Sequence, residues 1–324
     1  DGMTDLGFLH WQTGNLEGAA EQYLAAWEMR RRHVGPAHKT TLEALQSVGM
    51  VLEREGKIDE ADRIFENRVE LARTNQVDDS ELLLRALYSR SSFLVRQQRV
   101  DDAKLVLREM LAIVSTAASP DPRRSASVRF SLVSLLTEPR EAEEALELLT
   151  EISETLSSNP DLQYPPRGRV EFYTGQTLLM LGRDEEAGDR LDRALELQVA
   201  QWGPDNGAVA MTHWLIGLCL WWSGDDEAGQ ETMQRASELL LAVEGETGFM
   251  YRLTRSQILA HDGRVEEAEQ ELLAARAAGL PPWTEALYFR LHPRSHDPPL
   301  RRLSSLPRGG SNSNGPQPEG STGA

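Results

Sequence analysis

The residues best suited to chemistry in this 324-residue chain are spaced in ways that leave every reaction centre incomplete. His292 and His296 stand four apart, as two metal ligands on one helical face would, but Pro293 interrupts the helix that would align them. His33 and His38 flank a loop. Gly56-Lys57 resembles the end of a phosphate-cradling loop, yet Ile58 follows where Ser or Thr would meet a magnesium ion, and there is no G-x-G-x-x-G run. The acidic clusters "DDEA" (225–228) and "RVEEAEQE" (264–271) open helical segments, where negative charge faces the positive end of the macrodipole. Neither makes an acid/base pair. No catalytic residue, cofactor site or metal site is assigned, and the segment reads as non-enzymatic.

Composition narrows the class further. Apolar residues are 40 % and charged residues 26 %, ordinary for a globular protein. The longest apolar run, "WLIGLCLWW" (214–222), falls far short of the ~20 residues a membrane helix needs. It holds Cys219, the single cysteine, expected to be a buried structural thiol; one cysteine makes no disulfide framework and fits a reducing compartment. Cytoplasmic placement is the default expectation. The net charge of −17 argues against nucleic acid, whose phosphates want a basic stripe. From Arg290 to Arg308, by contrast, five arginines and two histidines face one Asp, so the body is more acidic than the average. That body reads either as an ordinary solvated surface or as a surface for a basic partner segment.

What must position any functional residue is a repeat. The hexapeptide "GNLEGA" begins at Gly14, and relatives of it begin at Gly56, Gln98, Arg140, Gly182, Gly224 and Gly263, at intervals of 42, 42, 42, 42, 42 and 39 residues. Seven residues before this marker stand Gly7, Gly49, Ser91, Val133, Gly175, Gly217 and Ser256, small in all but one case. Nine after it stand Tyr23, Phe65, Leu107, Leu149, Leu191, Met233 and Leu272, all large, and five after it Ala or Gly recurs. Apolar residues recur at three- and four-residue steps on both sides of a short polar turn. Each unit is therefore predicted to be a helix hairpin, and stacked hairpins bury a core that none could bury alone. Gly35-Pro36 and Gly203-Pro204 are expected to end the long second helices of units one and five. Unit four, with Pro139-Arg140 in place of the turn glycine, is expected to be distorted.

This pattern of small and large positions resembles the tetratricopeptide repeat, and the 42-residue period with "GPAHKTTLEAL" between units is similar to repeats of the kinesin-light-chain type. The resemblance implies an all-α, right-handed superhelical solenoid over 1–278. A capping helix over 279–291 and a disordered Pro/Ser/Gly/Arg-rich tail over 292–324 complete the expected plan. Asp1 falls inside a helical pattern, so the chain is expected to be a C-terminal piece of a larger protein. Repeats of this kind occur in bacterial signalling proteins, including serine/threonine kinases, so a recruiting role beside an upstream catalytic domain is the second reading. No H-R-D or D-F-G run lies in the chain itself.

The resemblance also implies a function. In such solenoids the first helix of each hairpin lines a concave groove that holds a protein or peptide partner. The inward offsets assign Trp11, Arg85, Tyr88, Phe130, Arg169, Phe172, Tyr173, Trp214 and Trp221 to that groove, residue types that dominate binding hot spots. Neighbouring offsets add Gln46, Met50, Ser89, Ser92, Ser131 and Gln176. The paired asparagines by which kinesin-light-chain repeats grip a peptide are absent, so clamping of that particular kind is not expected. In the tail, Arg301-Arg302-Leu303-Ser304 resembles a basic-directed phosphorylation site whose modification would release a weak contact with the acidic body.

Overall fold

The computed structural model describes residues 2–74, 80–117 and 121–279, together with positions 284 and 287. Among them lie fourteen α-helices and no strand. They are α1 (Gly2–Gln12), α2 (Leu16–His33), α3 (Lys39–Arg54), α4 (Ile58–Arg73), α5 (Ser80–Arg96), α6 (Val100–Ser115), α7 (Pro122–Val133), α8 (Ala142–Ser158), α9 (Arg167–Leu181), α10 (Asp184–Trp202), α11 (Gly207–Ser223), α12 (Asp226–Glu244), α13 (Phe249–His261) and α14 (Val265–Ala277). The expected tail, with Ser304, lies outside the described residues. Of the expected capping helix only Gly279, Thr284 and Leu287 are described; Thr284 and Leu287 are helical and buried, and Leu287 joins the core around Trp214.

Every hairpin turn but the fourth is built the same way. The marker residue adopts a left-handed conformation, φ +77° at Gly14 and Gly56 and +81° at Gly182, which glycine tolerates without steric cost. The next residue then donates its N–H back to the carbonyl four before the marker: Lys57 to Leu52 at 2.9 Å, Arg183 to Leu178 at 2.9 Å, Arg264 to Leu259 at 2.8 Å. This closes the first helix and starts the second. Gln98 takes the same role with φ +60°, the positive-φ non-glycine residue among those described.

The small and large positions meet across the hairpin. A Cβ on Gly175 would lie 2.6 Å from Leu191 Cγ and 3.2 Å from the Ala187 carbonyl oxygen; on Gly217 it would lie 2.6 Å from Met233 Cγ. Gly7 faces Tyr23 and Gly49 faces Phe65 in the same way. Ser256, small but polar, donates its hydroxyl to the Ala268 carbonyl at 2.6 Å. The alanines five after the marker are wholly buried, Ala19, Ala61, Ala103, Ala145, Ala187 and Ala268 alike. Both Gly-Pro connectors do stop their helices: α2 ends before Gly35 and α10 before Gly203. His38 and Asn206 then accept the N–H groups of Thr40 and Ala208 and so cap the helices that follow.

The fourth unit departs from the rule, as Val133 and Arg140 foretell. With a β-branched residue at the close-approach position and no glycine at the turn, α7 stops at Val133. A single 3-10 turn over Pro139–Glu141 intervenes before α8. By packing the chain divides into two compact units, Asp1–Leu136 with Leu148–Pro165, and Thr137–Glu147 with Pro166–Ala324. In the first, Phe65 and Phe93 pack with ring centroids 5.0 Å apart, among Ala61, Leu94 and Ala103. In the second, one large cluster runs from Leu178 through Trp214, Met233 and Leu253 to Leu272. Cys219 is buried in it.

Two substitutions test this construction. Gln98→Gly relieves a left-handed side chain and is expected to stabilise the chain by about 1 kcal/mol. Gly175→Val overpacks the α9–α10 contact and is expected to cost about 1–3 kcal/mol. Urea titrations of both variants read the two signs directly.

Candidate partner-binding groove

In the first unit, the first helices of successive hairpins leave three adjoining hollows of about 380, 610 and 320 Å³. Tyr88 lines all three; Gln46 and Ser89 are shared by the first two, Ser92 and Arg96 by the second and third, and Ser131 by the first and third. Trp11 borders the second, half-buried, with the Arg54 guanidinium 4.7 Å above its ring. Arg85 borders the first. Tyr88 is 59 % exposed, so its ring is presented to solvent with no core to fill.

Charges along this face are ordered in pairs. Arg85 donates to Glu81 at 2.8 Å, and Arg124 of α7 pairs with the same carboxylate, tying α5 to α7. Those two guanidinia hold the Glu81 carboxyl below its ordinary range. Arg96 of α5 makes a two-pronged bond to Glu53 of α3, at 2.7 and 2.8 Å, with Gln97 donating to the same group. Serines 89, 92 and 131 line the hollows between these pairs. The face is thus polar and braced, with Tyr88, Met50 and Val95 as its exposed apolar elements.

Three residues assigned to the groove belong instead to packing, each for a visible reason. Phe130 is 3 % exposed because Tyr164 covers it edge-on, with centroids 6.2 Å apart. Trp214 is fully buried and donates its indole N–H to Gln257 Oε1 at 2.6 Å, joining α11 to α13. Trp221 is 8 % exposed: its ring lies over Gly229, where a Cβ would come within 2.4 Å of it, and stacks on His261 at 4.7 Å. Gly229 stands where most units carry Ala, and the missing methyl admits the indole. In the second unit Arg169, Phe172 and Tyr173 remain partly accessible and cluster together. Phe172 meets Tyr173 edge-on at 5.6 Å, and Arg169 lies 6.0 Å over the Tyr173 ring.

Reading offsets on first helices also missed a residue. Arg68, on the second helix α4, reaches inward to line the first hollow. It lies twelve residues after the marker, where the other units carry Ala26, Met110, Ile152, Ala194, Ala236 and Ala275, all buried. An arginine in an apolar column was the available signal.

Paired antiparallel helices repeated hairpin after hairpin are the architecture of a helical repeat protein. The comparisons specify the type. Residues 2–38, the first hairpin and its connector, match the tetratricopeptide repeat family. The chain is similar to the apo form of RapI, with a TM-score of 0.63 at 12 % identity, covering 85 % of this chain and 96 % of that one. It is similar to a putative kinesin light chain of Podosopora anserina with nearly identical TPR-like repeats, at 0.51 and 14 %, covering 63 % and 96 %. It is also similar to a Rap protein complexed with Competence and Sporulation Factor, at 0.53 and 13 %, covering 88 % and 78 %. No curated protein matches the sequence. The first hairpin thus matches the tetratricopeptide repeat model, and the chain shares its fold with these repeat proteins. Among the described residues no helix is long and apolar enough to cross a membrane.

The two kinds of inner residue differ in what truncation does. Trp214→Ala empties a core site and strands Gln257, at an expected cost of about 3–5 kcal/mol. Tyr88→Ala, at an exposed ring, is expected to stay within about 0.5 kcal/mol of the parent. Melting curves of the pair separate core from surface.

Proposed function

We infer that the first unit is a protein-interaction module whose partner, a peptide or an exposed segment of a protein, lies along the hollows lined by Tyr88. The observation that carries this is the contrast at one repeat position: ten residues before the marker, Tyr88 is solvent-facing while Trp214 and Leu253 are fully buried. A large ring kept out of the core, among braced ion pairs and serines, supports recognition better than packing. The fold it shares with a Rap protein complexed with Competence and Sporulation Factor supports a binding role of this kind. The net charge of −17 favours basic flanks on the partner, an attraction that added salt weakens.

The test is selection of peptides from a random library on the intact chain, followed by titration of the winners against Tyr88→Ala and Ser131→Arg. Losses of about tenfold or more with unchanged melting are expected, the usual scale for a hot-spot residue. Peptides that bind both variants as tightly as the parent place recognition elsewhere.

A further inference from the structure

The groove belongs to first helices of the first unit; a separate feature lies on second helices of the second unit. Seventeen residues after the turn marker stand Arg31, Arg73, Ser115, Ser157, Val199 and Leu241. All six are exposed, and the first four are polar. In the fifth and sixth repeats this outward position turns apolar. Two more apolar residues join it: Trp202, which ends α10, and Val243, near the end of α12. The four side chains are 36–53 % exposed. They gather at one edge. A Cβ on Gly207, the first residue of α11, would lie 3.4 Å from Val243 Cγ1, and Asp205 in the connector after Trp202 pairs with Arg235 of α12 at 3.1 Å. The connector thus fastens the end of α10 to α12. Apolar residues scattered singly on a surface are ordinary, but four on one edge mark a surface that something covers.

The surroundings of this patch give the chemistry of its cover. Within five residues of the four lie Glu196, Asp205, Glu238, Glu244 and Glu246, and no basic residue. Arg235, just beyond, is shared between Asp205 and Glu238, so negative charge stays in excess. A matching cover is apolar and basic. The chain supplies such a segment at 300–308. Leu300, Leu303 and Leu306 recur there at three-residue steps, the spacing that sets side chains on one side of a helix or a polyproline turn, and Arg301, Arg302 and Arg308 accompany them. We propose that segment 300–308 docks on this edge, its leucines covering Val199, Trp202, Leu241 and Val243 and its arginines meeting the surrounding carboxylates. The reach is sufficient. Leu287 is buried in the core of the same unit, and the stretch from 287 to 300 can span up to about 40 Å. The longest helices there, α10 and α12 with 19 residues each, are about 28 Å long. Four side chains make far less than the ~800 Å² per partner of a stable two-chain interface, which favours a tethered segment over a second copy. Tethering holds the segment at a roughly millimolar effective concentration, enough for so small a patch. The contact lies outside the groove and is independent of the groove reading.

The test places a nitroxide on the full chain at Ser305→Cys, the native Cys219 being buried and shielded from the reagent. Amide resonances of the ²H,¹⁵N-labelled protein are compared with the nitroxide oxidised and reduced. Loss of signal is expected at 199–207 and 241–246, with the first helices of the first unit unaffected. Two further variants of the spin-labelled chain are expected to restore those signals: Leu303→Asp in the segment, and Leu241→Asp on the patch. Leu241 is exposed, so its variant should melt with the parent. A mixture of spin-labelled unenriched chain with unlabelled ¹⁵N chain reports contacts between molecules, and it should show no loss. Signal loss in that mixture equal to the loss within one chain assigns the patch to a second copy and overturns the proposal. So does the absence of any loss, loss centred on the hollows around Tyr88, or loss that survives both leucine substitutions.

Discussion

Everything in this protein depends on how closely the two helices of a hairpin approach. A residue without a Cβ, or nearly so, seven positions before the turn lets a large side chain nine positions after it lie against bare backbone. At Gly175 and Gly217 there is no space for even a methyl group. That contact sets the helix spacing, and the wholly buried alanines five after the turn keep it close. Once the spacing is fixed, the first helices of the first unit line its hollows and the second helices back them. Where a β-branched residue takes that position, at Val133, the first helix of the hairpin ends early.

The same spacing decides what the inner face can become. Within the first unit it is polar and cross-braced, by Glu81 between Arg85 and Arg124 and by Glu53 on Arg96, so hollows persist between the helices. Within the second unit Trp214, Trp221 and Leu253 occupy corresponding positions and are buried, while Arg169, Phe172 and Tyr173 stay partly accessible. Trp214 reaches Gln257 of the following hairpin, and Trp221 drops over Gly229. One repeat geometry thus yields an accessible face from serines and ion pairs and a packed core from tryptophans. Arg68 combines the two: it occupies a core column yet opens onto the hollow.

The fold was legible in the sequence because its determinants are local and periodic. The turn glycines, the alanines and the Gly-Pro connectors recur at fixed distances, and even the irregular fourth unit announced itself through Val133 and Arg140. The site was less legible. Offsets along a first helix tell which way a side chain starts from the backbone, and they placed Tyr88, Trp11, Gln46 and Ser131 along the hollows. They do not tell what else competes for the same space. Tyr164 over Phe130 and Gln257 beneath Trp214 come from other segments, and the indole of Trp221 is accommodated by one missing methyl on the next helix. Arg68 escaped because the inward offsets run along first helices only, although a charge in an otherwise apolar column is visible in the repeats themselves.

The central claim is that the accessible inner face of the first unit receives a partner while the inner tryptophans of the second unit are structural. Hydroxyl-radical footprinting of the intact chain, free and with a selected peptide bound, tests it most directly. In the free protein Tyr88 and Trp11 should oxidise readily and Trp214 and Phe130 should resist. On binding, protection should fall on Tyr88 and Trp11 and leave the rate at Trp214 unchanged. Rapid oxidation of Trp214 in the free chain, or peptide protection confined to the second unit with Tyr88 still reactive, would contradict the account.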